Sequence, residues 1–126
     1  MERYDPLKAP DPEEWLELDE DERISLVRAY HRRKRIKLPN AVMHATMHAL
    51  VEAQIAMGDE LPVKRTLERL QREGLDRHDA VHAVANVLVL HLHALLSGPR
   101  PEGDPNLAYY AALEKCTAQR WLDQEL

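Results

Sequence analysis

The 126 residues predict an all-α fold, a compact bundle of four to five helices with a buried central fourth helix. Three observations lead there. No stretch alternates apolar and polar residues with the period of two that a half-buried strand requires, whereas apolar residues recur at helical spacing along most of the chain. The chain has no Phe, two Trp and four Tyr, so its core must be assembled from Leu, Val, Ala, Ile and Met, the vocabulary of packed helices. Capping residues and Gly or Pro stops bracket the apolar runs, and the short connections favour antiparallel neighbours.

Each element has its own punctuation. Residues 1–10 are expected to be irregular; Asp11, Pro12 and Glu14 then have the form of an N-cap, a first-turn proline and an acidic residue three places on, opening a short helix that turns Trp15 and Leu18 inward. Asp19 and Glu22 repeat the pattern and open the first long helix, which carries Ile24, Val27 and His31 and ends in the basic run Arg32–Lys37, stopped by Pro39. Asn40 caps the second, Ala41–Met57, closed by Gly58. The third, about Leu61–Glu73, places Val63, Leu67 and Leu70 on one stripe and charge elsewhere, and ends at Gly74. Asp76 and Asp79 cap the fourth, about Arg77–Leu96, whose valines and leucines surround nearly its whole circumference; such a helix belongs in the middle of a bundle or at a subunit interface. An irregular connection over residues 97–104 follows, and Asp104-Pro105 starts a last helix that runs almost to the end with Leu107, Tyr110, Leu113, Cys116 and Trp121.

A mass of 14.5 kDa with 44% hydrophobic and 31% charged residues is the profile of one folded helical domain spanning residues 1–126. The net charge of −5 supplies no cationic field for nucleic acid or an anionic membrane, so neither is expected as a partner. The basic run Arg32–Lys37 reads as a solvated complement to a helix C-terminus, and the fourth helix is too apolar to lie in a nucleic-acid groove. The single cysteine, Cys116, precludes an internal disulfide and suits a reducing compartment, and the first residues lack the apolar stretch of a secretory signal; the expected location is cytoplasmic. The run Ala80–Leu96 is at the short limit for a membrane span and contains histidines and Asn86, so it reads as a buried helix.

The candidate chemistry lies in the histidines. His44, His48 and Glu52 on the second helix, and His78 and His82 on the fourth, recur every four residues, and four residues turn a helix only about 40° past a full circle. Each pair therefore projects from one helix face, and two such pairs can converge on one ion. With the second, third and fourth helices running up, down and up, the second and fourth are parallel and start from caps at the same end, which sets the two pairs at similar heights. Four imidazoles suit a transition metal: Zn, Fe, Ni or Cu. The candidate metal residues are His44, His48, Glu52, His78 and His82. Glu52 lies about 12 Å along the axis from His44, too far for both to hold one ion, so it either joins His48 and His82 or accepts a hydrogen bond from a ligating ring.

The other patterns are weaker. The glutamate-x-x-histidine pairs of ferritin-like di-iron proteins are missing, with Asp79 and His82 the nearest approach. The run His78-Asp79-Ala80-Val81-His82 has aspartate where the zinc-protease pattern has glutamate, and lacks an evident third ligand. His93 lies about 16 Å along the helix from His82, His91 points the opposite way, and His31 ends a helix where the dipole favours a cation; all three read as packed or surface residues. Cys116 reads as a packing residue rather than a nucleophile. No nucleophile motif or phosphate loop is present, and no catalytic residue can be named.

Asn40, the spacing His44, His48, Glu52, Gln54, the spacer leucines Leu67 and Leu70, and the run Arg77, His78, Ala80, His82 together resemble a family of small bacterial all-helical proteins of unknown function with paired histidines. The resemblance covers about Glu14 to Leu96; it implies a bacterial helical protein and no particular activity. Two function classes follow from the residues themselves: a metal-binding helical protein, or a noncatalytic interaction or assembly module whose histidines form a structural hydrogen-bond network. The apolar fourth helix offers a homodimer surface in either.

Overall fold

The computed structural model describes residues 1–100 and 102–125. Among them are seven α-helices and no strand: α1 (Pro12–Glu17), α2 (Glu20–Arg33), α3 (Ala41–Ala56), α4 (Val63–Arg72), α5 (Arg77–Ser97), α6 (Leu107–Lys115) and α7 (Ala118–Glu125), with a 3-10 turn over Gly58–Glu60. Of the connection expected over residues 97–104, Pro101 lies outside the described residues, as does Leu126.

The four expected N-caps form. The side chains of Asp11, Asp19, Asn40 and Asp76 accept from the backbone N–H groups of Glu14, Glu22, Met43 and Asp79 at 2.8–3.1 Å, each satisfying a donor that the first helical turn leaves unpaired. Two C-termini close in the same way. Ile36 donates to the His31 carbonyl and Leu75 to the Leu70 carbonyl, while the residue before each, Arg35 at φ 56° and Gly74 at φ 114°, takes the left-handed turn this closure needs. So α2 stops at Arg33, ahead of Pro39, with a non-glycine residue in the turn.

The hub is α3, which packs against α1, α2, α4 and α5. Its Ala45, Ala49 and Ala53 face a cluster built with Tyr4, Trp15, Val27 and Tyr30; its Val51 and Ile55 face a second cluster that includes Leu67 and Leu70 of α4, Val81 and Val84 of α5 and Leu113 of α6. The stripe His44, His48, Glu52 runs between these two faces, so the polar side chains lie along the seam of the two cores. Residues 1–10 contain no helix but are not loose: Tyr4 and Pro6 are buried.

Three expectations are corrected here. First, α3 and α5 run antiparallel where they meet. Partners on α5 advance from Arg77 through His78 to His82 as those on α3 retreat from Glu52 through His48 to His44. The ten-residue α4 and the 3-10 turn reverse the chain without spanning the bundle, so α3, α4 and α5 do not alternate up, down and up. Second, burial of α5 ends at Leu88; beyond it Val89, Leu90 and Leu96 are exposed, because α6 and α7 cover only part of its length. By length and mean hydropathy alone this helix would pass as a membrane span, with 28% of its most apolar window buried. Third, the expected last helix is two. Cys116 is not helical: it is the extended C-cap of α6, with ψ 127°. The Arg69 guanidinium collects the carbonyls of Leu113 and Cys116, Glu73 accepts from the Ala118 N–H, and Thr117 Oγ1 accepts from the Arg120 N–H. An α4 ion pair and a threonine cap thus replace the backbone bonds that a continuous helix would make.

Candidate metal centre

Five rings from three helices meet at the seam. Ring centroids of His44 and His82 are 4.9 Å apart, His48 and His82 5.4 Å, His48 and His78 5.5 Å, and His31 and His44 5.0 Å. One ligating nitrogen from each of His31, His44 and His48 lies within 4.8 Å of the others, and the same holds for His48, His78 and His82. His48, 1% exposed, belongs to both triads. Between the Nε2 atoms of His44 and His82 the distance is 3.2 Å. Two nitrogens on one tetrahedral zinc, each about 2.0–2.1 Å from the ion, are about 3.3 Å apart.

The pairs meet despite the reversed direction of α5. In an antiparallel pairing that sets Glu52 against Arg77, the residues near His48 fall opposite those near His82, so the two pairs coincide there as well.

The structure departs from the sequence reading at three residues. His31 is buried beside His44 and His48 rather than serving only a helix end. Its signal was its place on the inward stripe with Ile24 and Val27. Glu52 belongs to neither triad; both its oxygens receive 2.7 Å hydrogen bonds from the Arg77 guanidinium, and it also accepts from the Tyr4 hydroxyl. Tyr4, fully buried, is the third, and nothing in a segment free of helical pattern marked it out. His91 stacks on Tyr109 and His93 is exposed; neither reaches the cluster.

Tyr4 determines the protonation of His48. A carboxylate can only accept, so the single phenolic proton goes to Glu52. Burial, and then the Glu52 charge, raise the Tyr4 pKa well above its ordinary value, which keeps that proton in place. The Tyr4 oxygen, 2.7 Å from His48 Nε2, must therefore accept from an Nε2–H. It follows that His48 Nδ1 is bare. That atom is buried and has no hydrogen-bond partner, and the same is true of His31 Nδ1 and His78 Nε2. Tyr4→Phe removes the acceptor, so nitrogen-15 NMR is expected to show a single Nε2–H tautomer for His48 in the native protein and a mixture in the variant, with stability lower by about 1–2 kcal/mol. A native ring protonated at Nδ1 would contradict the assignment.

Burial favours neutral imidazole throughout. It lowers His82 to about 3 and His31 to about 4, with neighbouring histidines adding to the effect, and it depresses His44, His48 and His78 as well. For His78 the carboxylates of Asp76, Asp79 and Asp5 pull the other way without overcoming burial. Because the unfolded chain takes up protons near pH 6.5 and the folded one does not, acid favours unfolding. Metal-free protein should hold its stability above about pH 6.5 and lose it progressively as the pH falls toward 4. Urea midpoints measured across that range should decline on the acid side; a flat profile would mean that the rings take up protons in the fold as readily as in the unfolded chain.

A cavity of about 620 Å³ opens on one side of the rings. It is lined by His44, His48 and His82, by apolar side chains that include Leu38, Met43, Met47, Val89 and Trp121, and by Asn40 and Asn86.

Fold and site together define a small helical protein whose buried and half-buried histidines could hold a metal ion. Comparison with known protein families, with curated proteins and with solved structures returns no match for this chain.

Proposed function

We propose that the protein binds one transition-metal ion among His31, His44, His48, His78 and His82. The observation that carries this reading is the set of three buried ring nitrogens, His31 Nδ1, His48 Nδ1 and His78 Nε2, that face no hydrogen-bond partner. An unsatisfied buried polar atom costs about 1–3 kcal/mol, so three would consume much of the 5–15 kcal/mol that holds a typical domain together. Trp15 Nε1 and His91 Nε2, outside the cluster, are also buried without a partner, so what supports an ion is that these three belong to one group of converging rings. An ion needs bare lone pairs, and the Tyr4 contact supports one on His48 Nδ1.

The donor set is all imidazole, which suits zinc, copper, nickel or iron over calcium or magnesium. His48 has one nitrogen engaged by Tyr4 and so offers a single ligand atom, which supports one ion rather than two sharing that ring. Glu52 acts at one remove: it holds Tyr4, and Tyr4 holds His48. Such outer contacts orient ligating imidazoles and raise their basicity. A coordination position open to the cavity would allow the ion to activate water or to carry redox chemistry.

The alternative is the assembly module with a structural histidine network. One observation favours it: the 3.2 Å contact between His44 and His82 is also compatible with a hydrogen bond between neutral rings. Elemental analysis of protein purified without a nickel column separates the two. About one equivalent of metal per chain, lost on changing His48 and His82 to alanine, is the expected result. Metal-free protein whose melting temperature is indifferent to added zinc and to chelator would overturn the proposal.

A further inference from the structure

The charges around the rings say what else the site must hold. Imidazoles ligate a metal ion as neutral rings, and the one fully buried carboxylate beside them, Glu52, is engaged by both arms of Arg77. Asp76 and Asp79, next to His78 along the chain, join neither ligand triad. A divalent ion bound here would keep its full charge in a largely buried place, which is costly unless an anion completes the coordination. That anion must come from outside the protein, and the cavity lined by His44, His48 and His82 is where it can enter.

The cavity also restricts the rest of the ligand. None of its described lining residues is Asp, Glu, Lys or Arg, so it offers no second positive charge for a dianion or a phosphate ester. Its walls include Leu38, Met43, Met47, Val89 and Trp121, and its volume of about 620 Å³ lies within the range of small-molecule sites. A bare hydroxide would satisfy the ion and leave these walls wet.

Resting on the metal reading above, we propose that the cavity binds a monocarboxylate with an apolar chain or ring. Its carboxylate takes the open position on the ion, and its hydrocarbon lies along Met43, Met47, Val89 and Trp121.

The full-length protein loaded with cobalt(II), whose visible bands report on its ligands, is titrated separately with octanoate, acetate and octanol. Octanoate is expected to change the bands and to bind at least about 30-fold more tightly than acetate, since each buried methylene contributes about fourfold and the half-open cavity buries some of the six that octanoate adds. Octanol, which lacks the anion, should leave the bands unchanged at the same concentrations. Val89→Asn, at a position 40% exposed and therefore tolerant of the change, should reduce octanoate affinity several-fold and narrow its advantage over acetate. Equal binding of octanoate and acetate would overturn the proposal, as would bands indifferent to every carboxylate, or an octanoate affinity that V89N leaves intact. In all three cases the cobalt bands themselves would still uphold the metal site. Absence of those bands would defeat the metal reading and the carboxylate with it.

Discussion

Replacing Arg77 by alanine is expected to destabilise the protein by about 3–5 kcal/mol, the usual effect of stranding one member of a buried ion pair. Arg77 is 7% exposed and Glu52 1%. The variant leaves the Glu52 carboxylate facing a cavity where the guanidinium was, with only the Tyr4 hydroxyl still donating to it. It also releases the Pro6 carbonyl, which receives a 3.0 Å hydrogen bond from the same guanidinium and is one of the ties that hold residues 1–10 against the helices. Urea unfolding should show the loss directly. The double variant Arg77→Met with Glu52→Gln provides the decisive comparison, since it removes both charges, approximates the volumes and keeps an acceptor for Tyr4. It should recover most of the stability lost in R77A, because what is costly is the uncompensated charge and not the absence of the pair. A double variant as unstable as R77A would mean that packing, not charge, explains the effect.

Stripping the metal is expected to lower the melting temperature by more than about 10 °C when the native protein is held at a thousandfold excess of ion over its dissociation constant. Binding to the folded state alone adds about 4 kcal/mol under those conditions, and each kcal/mol moves the midpoint of a domain of this size by about 3–5 °C. Scanning calorimetry with and without chelator measures the difference. In His48→Ala the difference should vanish, since His48 is the ring common to both triads. The variant should also be less stable than the native protein without metal, because it leaves a cavity where a buried ring was, so the chelator-dependent difference, and not the absolute temperature, carries the result. His93→Ala, at an exposed position on α5, should leave the difference unchanged. A metal effect that persists in H48A would place the ion elsewhere.

The parts of this structure that were legible in the sequence are the local ones. Asp11, Asp19, Asn40 and Asp76 announce their helices because a cap acts on an N–H three residues away, and the paired histidines are visible because helical periodicity alone puts i and i+4 on one face. What stayed hidden depends on distant contacts. The fate of Glu52 was decided by Arg77 and Tyr4, separated from it by 25 and 48 residues. His31 looked like a helix terminus because its partners lie on other helices. The break at Cys116 was set from α4 by Arg69 and Glu73, and the direction of α5 by how little of the bundle α4 spans. Thr117, whose hydroxyl caps α7, was the one local clue to that break.

The four-residue spacing within α3 and within α5 also matters before the protein is folded. A nascent helix must order three residues before its first hydrogen bond rewards it, and this nucleation is the steep part of helix formation. His44 with His48, and His78 with His82, can each clasp an ion within one turn, without waiting for any other segment. Zinc or copper present while the chain emerges or refolds would thus act as a staple on either segment, seeding two helices early. In excess it would also hold each pair on its own ion and delay their merger, so refolding should be fastest near one equivalent of metal and slower on either side.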